Sequence, residues 1–159
     1  MPAHVQRWKI LELFLVFPLL LAAGLQLLCP LTLGSAPVRI GLGIVGGGFF
    51  VASVWLVVQA RRELAAHQQP TDPGAETTVL VTTGPFALSR NPLSLATLGL
   101  LTGIGLLMGL LWALVLVVPT AGLLFLVLIR PEERYLTAAF GDRYQVYRRS
   151  VNRWWGRET

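Results

Sequence analysis

The 159-residue chain is too apolar for an ordinary soluble domain, since 54% of its residues are hydrophobic and its mean hydropathy is +0.64. Its formal net charge is +5. The arginines lie beside helix ends instead of forming a separate basic domain, which argues against nucleic-acid binding. The single cysteine, Cys29, cannot form an intrachain disulfide. With only His4 and His67 as histidines, no metal site of the Cys/His type is expected.

Three long segments, 13–38, 40–60 and 91–129, contain no Asp, Glu, Lys or Arg. A helix needs roughly 20 residues to cross the hydrocarbon core of a bilayer. The first two segments therefore supply one span each, and the third is long enough for two spans joined by a tight turn. The sequence predicts a single all-α domain, a polytopic membrane protein with four transmembrane helices and a cytoplasmic interfacial helical tail. The expected bounds are helices at about 10–31, 38–59, 92–107 and 112–129, a cytoplasmic loop at 61–91 and a cytoplasmic tail at 130–159.

The basic residues predict how the helices are oriented. If the N-terminus is inside, twelve of the 13 Lys and Arg residues fall on the cytoplasmic side and only Arg39 falls outside. Both termini are then cytoplasmic, and we expect the membrane to be the inner (plasma) membrane of a bacterium. The same cationic side chains attract anionic headgroups, so membrane lipids are expected partners.

Two further patterns bear on packing. Gly43 with Gly47, and Gly99 with Gly103, are each four residues apart. Such small-residue faces allow membrane helices to approach closely, which predicts a tight bundle or a homodimer through these faces. In the tail, apolar residues recur at helical spacing, which predicts one or two amphipathic helices on the membrane surface, with Gly141 as the candidate break. This apolar stripe consists of Leu136, Phe140, Tyr144, Tyr147 and Val151.

Two polar clusters are expected at the cytoplasmic ends of the last two helices. The first is a turn that leads into a helix N-terminus and contains Gly84, Pro85, Phe86, Arg90, Asn91, Pro92 and Ser94. Free backbone N–H groups and an arginine there can hold a carboxylate. The second contains Glu132, Glu133, Tyr144 and Tyr147, which suit a cationic or hydroxyl-rich ligand. Together they would match a zwitterionic nucleoside cofactor. The alternative is that the arginines only anchor helices and the glutamates only stabilise a helix N-terminus.

The order of these features resembles the superfamily of membrane methyltransferases that contains isoprenylcysteine carboxyl methyltransferases and phospholipid N-methyltransferases. That superfamily has a Gly-Pro-aromatic turn and an Arg-His-Pro-x-Tyr-x-Gly helix start, followed after a hairpin by Glu-Glu, Leu, Phe-Gly and two tyrosines. The matching residues are Gly84-Pro85-Phe86, Arg90-Asn91-Pro92, Glu132-Glu133, Leu136, Phe140-Gly141, Tyr144 and Tyr147. The match spans 79–153, about half of the chain.

Three positions depart from the superfamily pattern. Asn91 stands in place of the histidine, Ser94 in place of the tyrosine and Ala96 in place of the glycine. Asparagine can form hydrogen bonds but does not titrate near neutral pH. A serine at position 94 removes a ring and its hydroxyl group, which would weaken cofactor binding or enlarge the pocket.

The resemblance implies S-adenosylmethionine as the cofactor, bound where the last two helices end, with the tail folded over it. The implied cofactor-binding residues are Gly84, Pro85, Phe86, Arg90, Asn91, Pro92, Ser94, Glu132, Glu133, Tyr144 and Tyr147. Of these, Arg90, Asn91 and Glu133 are the implied catalytic residues. The implied reaction is an in-line methyl transfer, without a metal, to an O, N or S atom of a lipophilic acceptor that enters from the bilayer. The alternative is a non-catalytic scaffold or partner subunit of the same fold. A small transporter is disfavoured because helices two to four carry no internal charge.

Overall fold

The computed structural model describes residues 8–32, 34–69 and 77–157, with side chains from Leu13 onward. Residues 70–76 of the predicted loop lie outside these ranges. Within them the regular secondary structure is helical, apart from an isolated antiparallel bridge between Val151 and Arg157, and the connecting segments are turns and irregular chain. The prediction of an all-α chain is therefore confirmed for the described residues. The helices are α1 Trp8–Leu28, α2 Ala36–Ala66, a 3₁₀ turn Gly84–Ala87, α3 Pro92–Met108, α4 Leu111–Leu124, a π-helical turn Phe125–Ile129, α5 Arg130–Phe140 and α6 Asp142–Ser150.

Two helices in the described part of the chain are long and apolar enough to cross a membrane. They are Ala36–Ala66 and the continuous helix Leu111–Phe140. Leu13–Leu28 and Pro92–Met108 are shorter apolar helices. The helices leave large apolar side chains uncovered, such as Leu27 at 86% exposure, and surfaces of this kind suit lipid better than water. These features indicate a membrane protein.

The bundle is built around α3, which packs against α1, α2 and α4. The closest approach is between α2 and α3. A Cβ atom on Gly103 would lie 2.7 Å from the Phe50 backbone nitrogen and 2.9 Å from the Gly46 carbonyl oxygen. Gly46 and Gly103 therefore allow the two backbones to touch. Gly41 and Gly43, in contrast, have open space around them, so packing within the chain does not use them.

Specific contacts fix the two ends of the bundle. At one end, the Trp112 indole N–H donates to the Cys29 carbonyl oxygen at 2.8 Å, which joins the end of α1 to the start of α4. The α3–α4 hairpin turns at this end through Gly109, whose φ of +67° lies in the left-handed region that glycine adopts without penalty. At the opposite end, the C-terminus of α2, the start of α3 and the start of α5 come together.

Two helices extend further than the sequence predicts. Helix α2 continues to Ala66, so Arg61, Arg62 and Glu63 belong to a helix instead of a loop. Arginine, glutamate, leucine and alanine all favour helical conformation, so the charged residues at 61–63 do not end α2. Likewise, α4 continues through the π-helical turn into α5, and the break comes only at Gly141, where φ is +52°.

The apolar stripe of the tail packs within the protein. Tyr144, Tyr147 and Val151 form a buried cluster, and Leu80, Leu136 and Phe140 pack against it. Tyr144 is only 1% exposed. The stripe residues therefore bury one another across the bend at Gly141.

Candidate functional site

The site begins at the turn that precedes α3. Gly84 has a φ of +57°, a conformation that carries little strain only for glycine. Pro85 and Pro92 each occupy the first turn of a helical segment, where the missing N–H of proline is no loss. This turn places Arg90 and Asn91 directly at the N-terminus of α3.

Glu133 of α5 lies between two guanidinium groups. Its Oε1 accepts hydrogen bonds from Arg90 Nη1 at 2.8 Å and from Arg153 Nε at 2.9 Å, and its Oε2 accepts one from Arg153 Nη2 at 3.0 Å. The side chains of Arg90 and Glu133 are 7% and 17% exposed. We call Arg90, Glu133 and Arg153 the charge cluster. Because two cations face one anion, the cluster keeps a net positive charge in a partly desolvated position, which suits a carboxylate or phosphate ligand.

Two tyrosines of α6 tie the tail to this cluster and to the turn. Arg90 Nη1 donates to the Tyr144 hydroxyl at 3.2 Å, and the Tyr147 hydroxyl donates to the Phe86 carbonyl oxygen at 2.6 Å. Burial raises the pKa of both Tyr144 and Tyr147. Both phenols therefore remain protonated at neutral pH and keep these contacts.

Residues 151–157, which we call the C-terminal strap, run across the turn. The Arg90 N–H donates to the Asn152 carbonyl oxygen at 3.1 Å, and Arg90 Nε donates to the Val151 carbonyl oxygen at 3.0 Å. Asn91 Nδ2 donates to the Arg153 carbonyl oxygen at 3.1 Å. The asparagine that stands in place of the expected histidine thus binds the strap through its side chain.

Arg153 is the site residue that sequence analysis missed, because it was assigned only to the set of membrane-orienting cations. Its guanidinium group lies 4.9 Å from the centroid of the Phe125 ring, on the π-helical turn. The hydrogen bond to Glu133 raises the pKa of Arg153. No spacing in the sequence marks this residue, because it meets Glu133 only when the strap folds back over the turn.

The structure brings together most of the predicted site residues. Arg90, Asn91, Glu133 and Tyr144 share one network with the strap, and Phe86 joins it through its carbonyl group. Pro92 and Ser94 are buried in the first turn of α3. Gly84 and Glu132 are exposed at the edge, and Arg130 is exposed outside the charge cluster. Among the described residues there is no group of three or more His, Cys, Asp or Glu side chains placed to hold a metal ion.

The family profile for phospholipid methyltransferases matches residues 42–143, more than half of the chain. The chain belongs to this family. The matched segment runs from α2 to the start of α6, so it contains the turn, Arg90 and Glu133, whereas the strap lies beyond it. No curated protein and no solved structure gave a significant match. The family membership confirms the resemblance seen in the motifs and identifies a membrane methyltransferase in general terms.

Proposed function

We propose that the protein is an S-adenosylmethionine-dependent membrane methyltransferase that acts on a lipophilic or lipid-anchored acceptor. The observation that carries this proposal is the charge cluster at the N-terminus of α3, in which Arg90 and Glu133 lie inside the segment that matches the family and Arg153 lies just beyond it. A half-buried cluster with excess positive charge at a helix N-terminus suits the carboxylate of an amino-acid moiety. Glu133, between the two arginines, adds an acceptor that suits the ammonium group of the same moiety.

The residues present fit such a cofactor. Arg90 binds Val151, Glu133 and Tyr144 through Nε and Nη1, and on this proposal its Nη2 would meet the ligand carboxylate. The turn Gly84–Ala87 would line the cofactor on one side, and Tyr144 and Tyr147 would hold the tail over it. When bound, S-adenosylmethionine supplies a methyl group already activated on a sulfonium. The protein then has to position the acceptor in line with that methyl group and exclude water, and the strap is placed for the second task.

We infer that the acceptor reaches this site from the bilayer. The site lies where α2, α3 and α4 reach the end of their apolar segments, and these helices leave large apolar side chains uncovered. On this proposal α1 and α3 are the remaining two spans, both termini are cytoplasmic and the membrane is the bacterial inner membrane. We propose that any homodimer uses the face of α2 that contains Gly43 and Gly47, which are four residues apart.

Calorimetric titration of the purified protein in detergent with S-adenosylmethionine tests the proposal. We expect saturable binding that Arg90→Ala and Glu133→Ala each weaken at least tenfold, about the effect of one lost hydrogen bond to a charged group. Arg62→Ala, an exposed change on α2, is the matched control and should bind as the wild type does. Equal losses in all three variants would indicate general folding damage.

Absence of saturable binding at about millimolar cofactor, a very weak affinity, would refute the enzyme function and leave a scaffold or partner subunit. If binding is found, transfer of a radiolabelled methyl group into a lipid extract, followed by separation of the products, identifies the acceptor class.

A further inference from the structure

The C-terminal end of α2 reaches the turn through one carboxylate that has no role in the site described above. Glu63 lies in the last turns of α2, and its Oε1 accepts a short hydrogen bond from the Thr83 hydroxyl. Thr83 is the N-cap residue of the 3₁₀ turn Gly84–Ala87. The Glu63 side chain is 25% exposed. Helix α2 is therefore linked to the residue at which the turn begins.

The same carboxylate also lies against Gly84. A Cβ atom at this position would be 2.7 Å from Glu63 Oε2, so the carboxylate takes the space that a side chain would need. On its own helix, Glu63 is flanked by His67, whose Nδ1 lies 2.9 Å from the Glu63 carbonyl oxygen and 3.7 Å from Glu63 Oε1. The carboxylate therefore has protein on both sides.

Helix α2, which carries Glu63, is packed against α3. Ser53 and Ala60 are buried on the side of α2 that faces α3, and Gly46 meets the α3 backbone directly. Helix α2 is therefore packed against α3 up to Ala60, one turn before Glu63. The turn is held on one side by Glu63 and on the other by Tyr147, which donates to the Phe86 carbonyl oxygen.

We propose that Glu63 is a positioning residue of the cofactor site. Through Thr83 and Gly84 it fixes the turn relative to α3, and so it sets the affinity for S-adenosylmethionine without touching the reacting atoms. This inference rests on the proposed function. Its signature is a change in cofactor binding without a change in chemistry, since a residue that only orders a binding loop alters KM more than kcat.

The experiment compares Glu63→Ala, Glu63→Gln and Thr83→Val with the wild type. Glu63→Ala and Thr83→Val should each raise the Kd and KM for S-adenosylmethionine about tenfold, the effect of one hydrogen bond to a charged group. We expect kcat to stay within about twofold. The Kd and KM of Glu63→Gln should lie between those of the wild type and Glu63→Ala, because the glutamine amide oxygen still accepts a hydrogen bond from the Thr83 hydroxyl. Thr83→Ser keeps the hydroxyl and should behave as the wild type. The double variant Glu63→Ala/Thr83→Val should be no worse than either single variant, because both remove the same contact.

Wild-type affinity in Glu63→Ala, an equal fall in kcat, or additive effects in the double variant would each overturn the inference. Arg62→Ala on the same helix is the control, and the thermal unfolding midpoint in detergent shows whether the variants fold. If the wild type itself does not bind S-adenosylmethionine, the proposed function fails separately. Hydrogen exchange of a backbone amide then tests the positioning role of Glu63 without the cofactor. The Phe86 N–H, which donates to the Thr83 carbonyl oxygen at 3.1 Å, should exchange faster in Glu63→Ala, and unchanged exchange overturns the positioning role.

Discussion

Replacing Glu133 with alanine should release the C-terminal strap from the turn. Glu133 lies between Arg90 and Arg153, and its two oxygens accept three hydrogen bonds from them. Without it, two guanidinium groups face each other in a half-buried position. The strap at Arg153 is then held to the start of α3 by the Asn91 hydrogen bond to the Arg153 carbonyl oxygen, without the ion pair that holds its side chain.

The size of the effect follows from burial. Removing one partner of a fully buried ion pair costs about 3–5 kcal/mol. Here Arg153 is 33% exposed, so solvent screens part of the interaction, and Arg90 keeps Tyr144 and the Val151 carbonyl group as acceptors. We therefore expect the lower end of that range, about 3 kcal/mol, which corresponds to about a 150-fold change in the opening equilibrium.

Hydrogen exchange of individual amides in detergent micelles measures this opening directly. The Arg90 N–H donates to the Asn152 carbonyl oxygen, and the Gly156 N–H donates to the Leu88 carbonyl oxygen at 2.8 Å. Both amides should exchange about 150-fold faster in Glu133→Ala. The Leu110 amide, in the α3–α4 hairpin at the far end of the bundle, should not change.

The matched control is Asp142→Ala, which removes the same charge from an exposed position at the start of α6. It should speed exchange by at most about fivefold, the size of a helix-terminus effect. Unchanged exchange at Arg90 and Gly156 in Glu133→Ala would refute the reasoning. Equal acceleration at Leu110 would indicate global unfolding, and equal acceleration from Asp142→Ala would assign the effect to net charge.

Raising the pH should also release the strap. Burial raises the pKa of Tyr147, so its contribution to stability is complete below about pH 10, the ordinary phenol pKa, and is lost as the pH rises toward the folded value. Tyr147→Phe should weaken the pH dependence of the thermal unfolding midpoint above about pH 10, and an unaltered dependence would contradict it. In the bundle, Gly103→Ala should cost about 1–3 kcal/mol in thermal unfolding, because its Cβ meets Phe50 and Gly46 backbone atoms. Gly43→Ala, in open space, should cost nothing; equal effects would contradict this packing.

The sequence predicts that Arg90 and Glu133 lie at the same end of the bundle, where the structure pairs them. An uncharged segment at 91–129 that forms a hairpin has to bring its two ends to the same side of the bundle. The part played by Arg153 could not be predicted, because it depends on backbone hydrogen bonds of the strap that no periodicity encodes. Glu63 was missed for a different reason. Arg61 and Arg62 were interpreted as the end of a span, whereas the helix continues through them.

The π-helical turn at Phe125–Ile129 decides which way Glu133 faces. A turn of this kind absorbs one residue more than a regular α-helical turn. If the same residues adopted regular α-helical geometry, α5 would rotate by about 100° and shift by about 1.5 Å along its axis. Glu133 would then no longer contact Arg90 and Arg153. A relative with a regular helix here would need one residue fewer before its glutamate to keep the same register. In an alignment of such chains, a gap of one residue at 125–129 would therefore indicate that the glutamate keeps the same position relative to the two arginines.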